Sequence, residues 1–429
     1  MSMASPLRGI LDGLGLGVQA KWSYPEHPGR VTAVHDLLRA EPIPGVRLVP
    51  GEKATLEQLQ RVHTTSYIES LHELEGQQAW LDIDTTAISA GSIEAAEVAA
   101  GSVIAAVDAV FEDKSDSAFV ICRPPGHHAN AVRARGFCLF NNIAVGAAHA
   151  QAHWDAERVL IVDWDAHHGN GTQDIFAADP SVMFFDTHRA APFYPGTGQL
   201  DEVGEGLGEG TTVNVPLPGD AGDRAMIMAF ESILVPAVEW FKPDLILVSA
   251  GMDAHITELC MAMTYDGYST LTGILHRLAD KHCEGRLVMA LEGGYNPDTL
   301  AKCTRATLDV MAGALGTCQE ITYKMYATVM GLDVKSVSCK VDGDMDLRYC
   351  IRTNLDCADV CAATVVRACS NSSPICSTSP TEADAHRAVS RAARHGCAPE
   401  GRTLPVTAFQ HAVSDRCRRF RAVLLLPPA

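Results

Sequence analysis

The chain reads as an α/β protein built on an open parallel sheet with helices on both faces, and three features of the sequence point that way. Short apolar runs rich in β-branched residues recur along it. Stretches of helical length and periodicity separate them, and each apolar run breaks directly into polar or glycine residues. Taken in order, residues 93–111 have the length and small-to-apolar spacing of a helix crossing a sheet. Residues 118–122 are apolar on both faces, as a strand covered on both sides must be, and run into Arg123-Pro-Pro-Gly-His-His128. Residues 142–153 are again helical, and the next apolar run enters Asp163. Residues 182–185 run into Asp186-Thr-His188, followed by a helical stretch over 223–241. Residues 245–248 run into Ser249-Ala-Gly-Met-Asp-Ala-His255, and 265–283 form the next helix. Residues 287–291 run into Glu292-Gly-Gly-Tyr-Asn296. Open parallel sheets bind ligands outside the carboxyl ends of their strands, so five strand ends rich in His, Asp and Tyr define one crevice.

The stretch Ile161-Val-Asp-Trp-Asp-Ala-His-His-Gly-Asn-Gly171 carries the most chemistry. Alternation along an extended segment puts Asp163, Asp165 and His167 on one side. Carboxylate oxygen with imidazole nitrogen suits zinc, and a set that leaves positions for water and substrate is catalytic. The alternative is a buried histidine satisfied by a neighbouring aspartate.

Six motifs, in order, carry a resemblance. Arg123-Pro-Pro-Gly-His-His128, Gly136-Phe-Cys-Leu-Phe-Asn-Asn142, Asp163-Trp-Asp-Ala-His-His-Gly-Asn-Gly171, Tyr194-Pro-Gly-Thr-Gly198, Ser249-Ala-Gly-Met-Asp253 and Glu292-Gly-Gly-Tyr295 are similar to the motif set of the zinc-dependent histone deacetylase family, class II type. The likeness covers residues 25–313 and implies a three-layer open parallel sheet of the arginase/deacetylase type. It implies that Asp165, His167 and Asp253 hold one Zn²⁺ per chain, and that His127 and His128 are an acid and base pair. His127 would pair with Asp163 and His128 with Asn170, where class I enzymes usually place a second aspartate. A carboxylate partner raises a histidine's proton affinity and an amide does not, so the two rings can be tuned apart. Tyr295 would donate its hydroxyl to the oxyanion of the tetrahedral intermediate. Some family members carry His there and are feeble catalysts, so Tyr implies an active enzyme.

The resemblance also implies a channel. Phe137, Tyr194 and Gly136 would wall the acyl-lysine methylenes, with ordinary core aromatics as the alternative for the two rings. Arg30 resembles an arginine near the acetate exit path, its alternative being a surface ion pair. The backbone carbonyls of Asp163, Asp165 and His167, with Asp186 and Thr187, would form a structural K⁺ site. Phe176, Asp179 and Val182 match a second one. The loop after Asp253 looks about two residues shorter than the class II version, and it lines the substrate mouth.

Composition fits an enzyme without a membrane span, expected in the cytoplasm. The 429 residues are 47% hydrophobic, enough for a large core, and no apolar run approaches the ~18 residues that cross a bilayer. Residues 1–314 hold 41 Asp and Glu against 20 Lys and Arg, whereas 315–429 hold 11 against 14. So acidic a catalytic region will not hold nucleic acid through phosphates, but would attract cationic polypeptides or polyamines. Nine of the 14 cysteines also crowd the last 115 residues. These shifts divide the chain into an atypical lead-in over 1–24, a deacetylase domain over 25–313 and an irregular, cysteine-rich extension over 314–429, expected to be poorly ordered after about 375. Fragments of the extension resemble the osmotically inducible protein C family around Cys318, and one helix of a cysteine-rich four-helix copper-binding family at Cys357 and Cys361. The lead-in lacks the strand with which enzymes of this family usually begin.

Two glycine patterns carry no phosphate loop. Gly13-Leu-Gly15-Leu-Gly17 follows no strand, and the glycines at 204–210 precede a strand-entering turn. The expected activity is removal of an acetyl or short acyl group from an amine, most naturally protein acetyl-lysine. The alternatives are an acetylpolyamine amidohydrolase, which would need an acid such as Glu258 at the channel mouth, and a catalytically silent acyl-lysine binding module. An arginase-like two-manganese enzyme would need more bridging carboxylates than are present.

Overall fold

The computed structural model describes residues 24–82, 85–258, 260–329 and 422–426. All but the last residue of the lead-in expected over 1–24, and the expectations for Cys357 and Cys361, lie outside them, and Cys318 falls within the helix Pro297–Val329. The chain divides into two compact units, one of residues 1–312 with 420–429 and the other of 313–419. No described helix is long and apolar enough to cross a membrane.

Eight parallel strands form one sheet in the first unit. They are β1 (Val46–Pro50), β4 (Ser117–Val120), β5 (Val159–Asp163), β6 (Val182–Arg189), β7 (Thr212–Leu217), β8 (Leu245–Ala250), β9 (Leu287–Leu291) and β10 (Ala422–Leu426). Their spatial order is β1-β10-β4-β9-β8-β5-β6-β7, while β2 (Ala79–Trp80) and β3 (Ala87–Ile88) pair separately as an antiparallel ribbon. The inner strands alternate between two cores. Phe119, Leu160, Val162, Phe185, Ile246 and Met289 face one, and Ala118, Val120, Ile161, Phe184, Leu247 and Val288 the other. Continuous apolar runs are what a sheet covered on both faces requires.

The helices fall close to the expected stretches, at Ser92–Phe111, Asn142–Trp154 and Tyr265–His282. The helix expected over 223–241 is interrupted. Asp223–Ala229 leads into one wide turn, Phe230–Leu234, and then Val235–Phe241. Pro236 has no N–H to give the ordinary ladder and its ring crowds the preceding turn, which a local widening accommodates.

β10 is the unexpected element. It lies between β1 and β4, with Ala422 opposite both Val46 and Ser117. The sequence reading assigned these residues to the extension, whereas their backbone belongs to the sheet of the first unit.

Candidate active site

The site forms where β5 and β8 end side by side, their last paired residues being Asp163 and Ser249. Beyond those ends, His167 Nδ1 lies 3.0 Å from Asp165 Oδ1 and 3.0 Å from Asp253 Oδ2. This is the one group of three or more His, Cys, Asp or Glu among the described residues whose ligand atoms could converge on a metal ion. Both carboxylates are fully buried. Each also accepts a backbone N–H, from Gly293 to Asp165 Oδ2 at 2.8 Å and from Ala166 to Asp253 Oδ1 at 2.8 Å, and His127 Nε2 lies 4.0 Å from Asp165 Oδ2. Gly293 is required there, since a Cβ would clash with both of these carboxylates.

The strand stops at Asp163, so Asp165 and His167 are not aligned by strand alternation as the sequence suggested. A ladder of side-chain acceptors aligns them instead. Asp163 Oδ1 accepts the Asp165 N–H at 3.0 Å, and Asp165 Oδ1 accepts the His167 N–H at 2.8 Å. Burial disfavours the His167 cation, yet Asp253 and Asp165 outweigh it and raise its pKa to about 9. Burial and the charge of Asp165 push the Asp253 carboxyl up. Burial also works on Asp165, but His127 and His167 hold it below the usual carboxylate range. Two carboxylate oxygens and an imidazole nitrogen drawn together at one buried point fit a divalent cation with a preference for mixed N and O donors.

The two histidines adjoin this cluster, their ring centroids 4.0 Å apart. His127 Nδ1 is 2.9 Å from Asp163 Oδ2, and His128 Nδ1 is 2.8 Å from Asn170 Oδ1. The partners drive them in opposite directions. For His127 burial is outweighed by Asp163 and Asp165, which hold its pKa well above the usual imidazole value. For His128 burial, then the cationic His127 and His167, push it well below. The turn carrying the pair is fixed by Glu292, whose Oε2 accepts the N–H groups of Gly126 at 2.6 Å and His127 at 3.2 Å. Gly136 has φ +57°, and a Cβ on it would strike the His128 ring.

Phe137 meets Tyr295 edge-on at 5.7 Å, while Tyr194 meets His128 at 5.2 Å and takes a hydrogen bond on its hydroxyl from Arg135 Nε at 3.2 Å. Arg30 is not a surface ion pair. It is fully buried, donates to the carbonyls of Glu292 and, at 2.6 Å, Gly294, and sits 5.1 Å over the Tyr295 ring. Its charge is met by buried Glu26, which also takes two bonds from Arg123. Burial, then the charges of Asp253 and Asp165, raise the Tyr295 hydroxyl well above its usual value and keep it protonated.

Glu258 is not at a channel mouth. It is 3% exposed, and its Oε1 accepts the N–H groups of Tyr295 at 3.1 Å and Asn296 at 2.7 Å. Of the residues expected around monovalent cations, Thr187 Oγ1 donates to the Asp163 carbonyl at 3.3 Å, and Asp186 Oδ2 accepts the Gly169 N–H at 2.8 Å. Phe176, Asp179 and Val182 follow one turn into β6, Asp179 donating to Phe176 at 3.0 Å and Val182 to Asp179 at 3.4 Å.

Phe193 and Glu26 had no role in the sequence reading. Phe193 stacks on His167 at 4.7 Å with Arg189 over its ring at 4.6 Å. A lone aromatic in a loop has no periodicity to expose it, and Glu26 shows itself only once Arg30 and Arg123 are known to be neighbours.

The profile of the Histone deacetylase domain matches residues 24–311. A probable deacetylase of Archaeoglobus fulgidus is 42% identical over 283 residues, 64% of this chain and 77% of that protein. Histone deacetylase 14, chloroplastic, of Arabidopsis thaliana is 38% identical over 326 residues, 71% of this chain and 77% of its own length. The crystal structure of the HDA15 HD domain superimposes with a TM-score of 0.64 at 39% identity, covering 68% of this chain and 86% of that one. The matched span holds β1, β4 to β9 and every residue of the Asp165–His167–Asp253 cluster and of the histidine pair, and on that ground the chain belongs to the histone deacetylase family, hydrolases of amide bonds.

Proposed function

We propose that this protein is a zinc-dependent deacetylase of class II type that hydrolyses the amide of N-acetyl-lysine side chains in proteins. The observation that carries the reading is His167 Nδ1 facing two buried carboxylates at 3.0 Å beside a histidine pair of opposed proton affinities. Asp165, His167 and Asp253 would hold the zinc. Bound there, zinc supplies Lewis acidity, polarising a carbonyl oxygen and making water a better nucleophile near neutral pH.

The chain's own groups handle the protons. His128 is neutral, and with its Nδ1–H given to Asn170 its Nε2 is free to take a proton from the attacking water. Once charged, it can return that proton to the leaving amine nitrogen. His127, held cationic by Asp163, offsets the negative charge that builds on the substrate. Tyr295 stays protonated and donates to the developing oxyanion. Phe137, Tyr194 and Gly136 would flank the lysine methylenes, and Arg30 would brace the turn that carries Tyr295.

K⁺ binding at Asp163, Asp165, His167, Asp186 and Thr187, and at Phe176, Asp179 and Val182, is part of the same reading. So is a deacetylase domain over 25–313 with a separate extension. The excess of acid in residues 1–314 favours cationic, lysine-rich substrates. Burial of Glu258 weakens the case for a polyamine enzyme, which would want that acid exposed. Kinetics on acetyl-lysine peptides and N-acetylated polyamines, run on one preparation, test this. The peptides are expected to show the higher kcat/KM, and efficient hydrolysis of the polyamines alone would overturn the substrate assignment.

A further inference from the structure

The turn that presents Tyr295 contains two consecutive glycines, which place few limits of their own on its backbone. β9 ends at Leu291 and the next helix begins at Pro297, with Gly293 and Gly294 between them and φ +111° at Gly294. An aromatic hydroxyl lies at the end of a long side chain, so a small backbone rotation there displaces it considerably. Besides Asp165, which takes the Gly293 N–H at 2.8 Å, two buried ionic side chains restrain this turn from different parts of the chain. Arg30 donates to its carbonyls at Glu292 and Gly294. Glu258, from the short turn Ile256–Glu258, takes its N–H groups at Tyr295 and Asn296. We propose that Glu258 is a positioning residue, whose carboxylate clamps two consecutive backbone N–H groups and thereby fixes where the Tyr295 hydroxyl is presented to substrate.

Three observations support the clamp. Glu258 is 3% exposed and makes no ion pair among the described residues, so the two N–H donors are its compensation. They lie just before the helix that starts at Pro297, where negative charge is favoured. Thr257 Oγ1 and Thr299 Oγ1, 2.7 Å apart, tie the same two segments together a second time. Burial raises the Glu258 carboxyl to about 7 against the pull of the Asn296 N–H, with Asp253 raising it further. The neutral form also keeps an acceptor oxygen for the donors.

The inference rests on Tyr295 being the oxyanion donor, and a double-mutant cycle separates the two ideas. Glu258→Ala should lower kcat about tenfold or more with KM within about twofold and zinc content unchanged, since small misplacements of reacting groups are costly. Glu258→Gln keeps an acceptor and should restore most of the rate, while Glu258→Asp withdraws the acceptor and should not. In a Tyr295→Phe background, Glu258→Ala should cost less than about twofold more. Full additivity, or wild-type kcat in Glu258→Ala, overturns the clamp while leaving the role of Tyr295 intact. An unchanged kcat in Tyr295→Phe alone instead overturns the role of Tyr295. Should Glu258→Ala not fold, the same cycle with Glu258→Asp decides the question by the same criterion.

Discussion

His127 and His128 are neighbours in sequence and in space, yet a carboxylate and an amide partner drive their proton affinities apart. Restoring a carboxylate opposite the second ring tests this directly. In Asn170→Asp the new charge raises the proton affinity of His128, so it must lose its proton at higher pH before acting as a base. The ascending limb of the kcat/KM profile should move alkaline by about 1 pH unit, and an unmoved limb would mean that His128 is not the group titrating there. At this scale the sequence was informative where chemistry sits in a short motif. His127, His128, Asp163 and Asn170 stand in such motifs, and the structure brings each pair together. It was uninformative about contacts across the fold. That Arg30 is buried under Tyr295, or that Glu258 faces inward, depends on segments separated by 265 and 37 residues, and no local pattern encodes either meeting.

Among the elements, the strands were legible because burial on both faces leaves an unbroken apolar run, as in β9 (Leu287–Leu291). Their ends were less so. Asp163 continues an extended pattern in sequence, but the ladder closes at its pairing with Ser249 and Asp186, and a turn takes over. The spacing predicts one helix over 223–241 because the amphipathic pattern persists through the turn that Pro236 widens. The close approach of elements at the site yields its own prediction. Gly293→Ala would set a methyl group against Asp165 and Asp253, where neither carboxylate can retreat from its backbone donor. Zinc affinity should fall at least about tenfold with the secondary structure unchanged, measured by metal competition and circular dichroism. Wild-type affinity would show that the strand ends are less closely fitted than the structure implies.

For the whole molecule, the tail is where expectation and structure part. Five apolar residues, Ala422-Val-Leu-Leu-Leu426, carry a strand signal, but parallel partners lying hundreds of residues away cannot be read from it. A strand paired on both sides, between β1 and β4, removes backbone groups from water that its loss would expose. Deleting residues 420–429 should therefore lower Tm by on the order of 5 °C or more. The kcat of the molecules still folded at low temperature should change little, because the site lies at the ends of β5, β8 and β9. An unchanged Tm would show that β10 contributes nothing to the sheet's stability. On the proposed reading, the acidic excess of residues 1–314 would act at this scale too, as a field that favours cationic substrates and weakens with salt.

On the proposed reading, metal content and activity depend together on Asp165, His167 and Asp253. Metal analysis and acetate release should be measured on the same preparations of the full chain and of Asp253→Ala. The full chain should carry about one zinc ion and deacetylate an acetyl-lysine peptide, and the variant should lose both properties while staying folded. An Asp253→Ala protein that keeps its zinc and its activity would contradict the account.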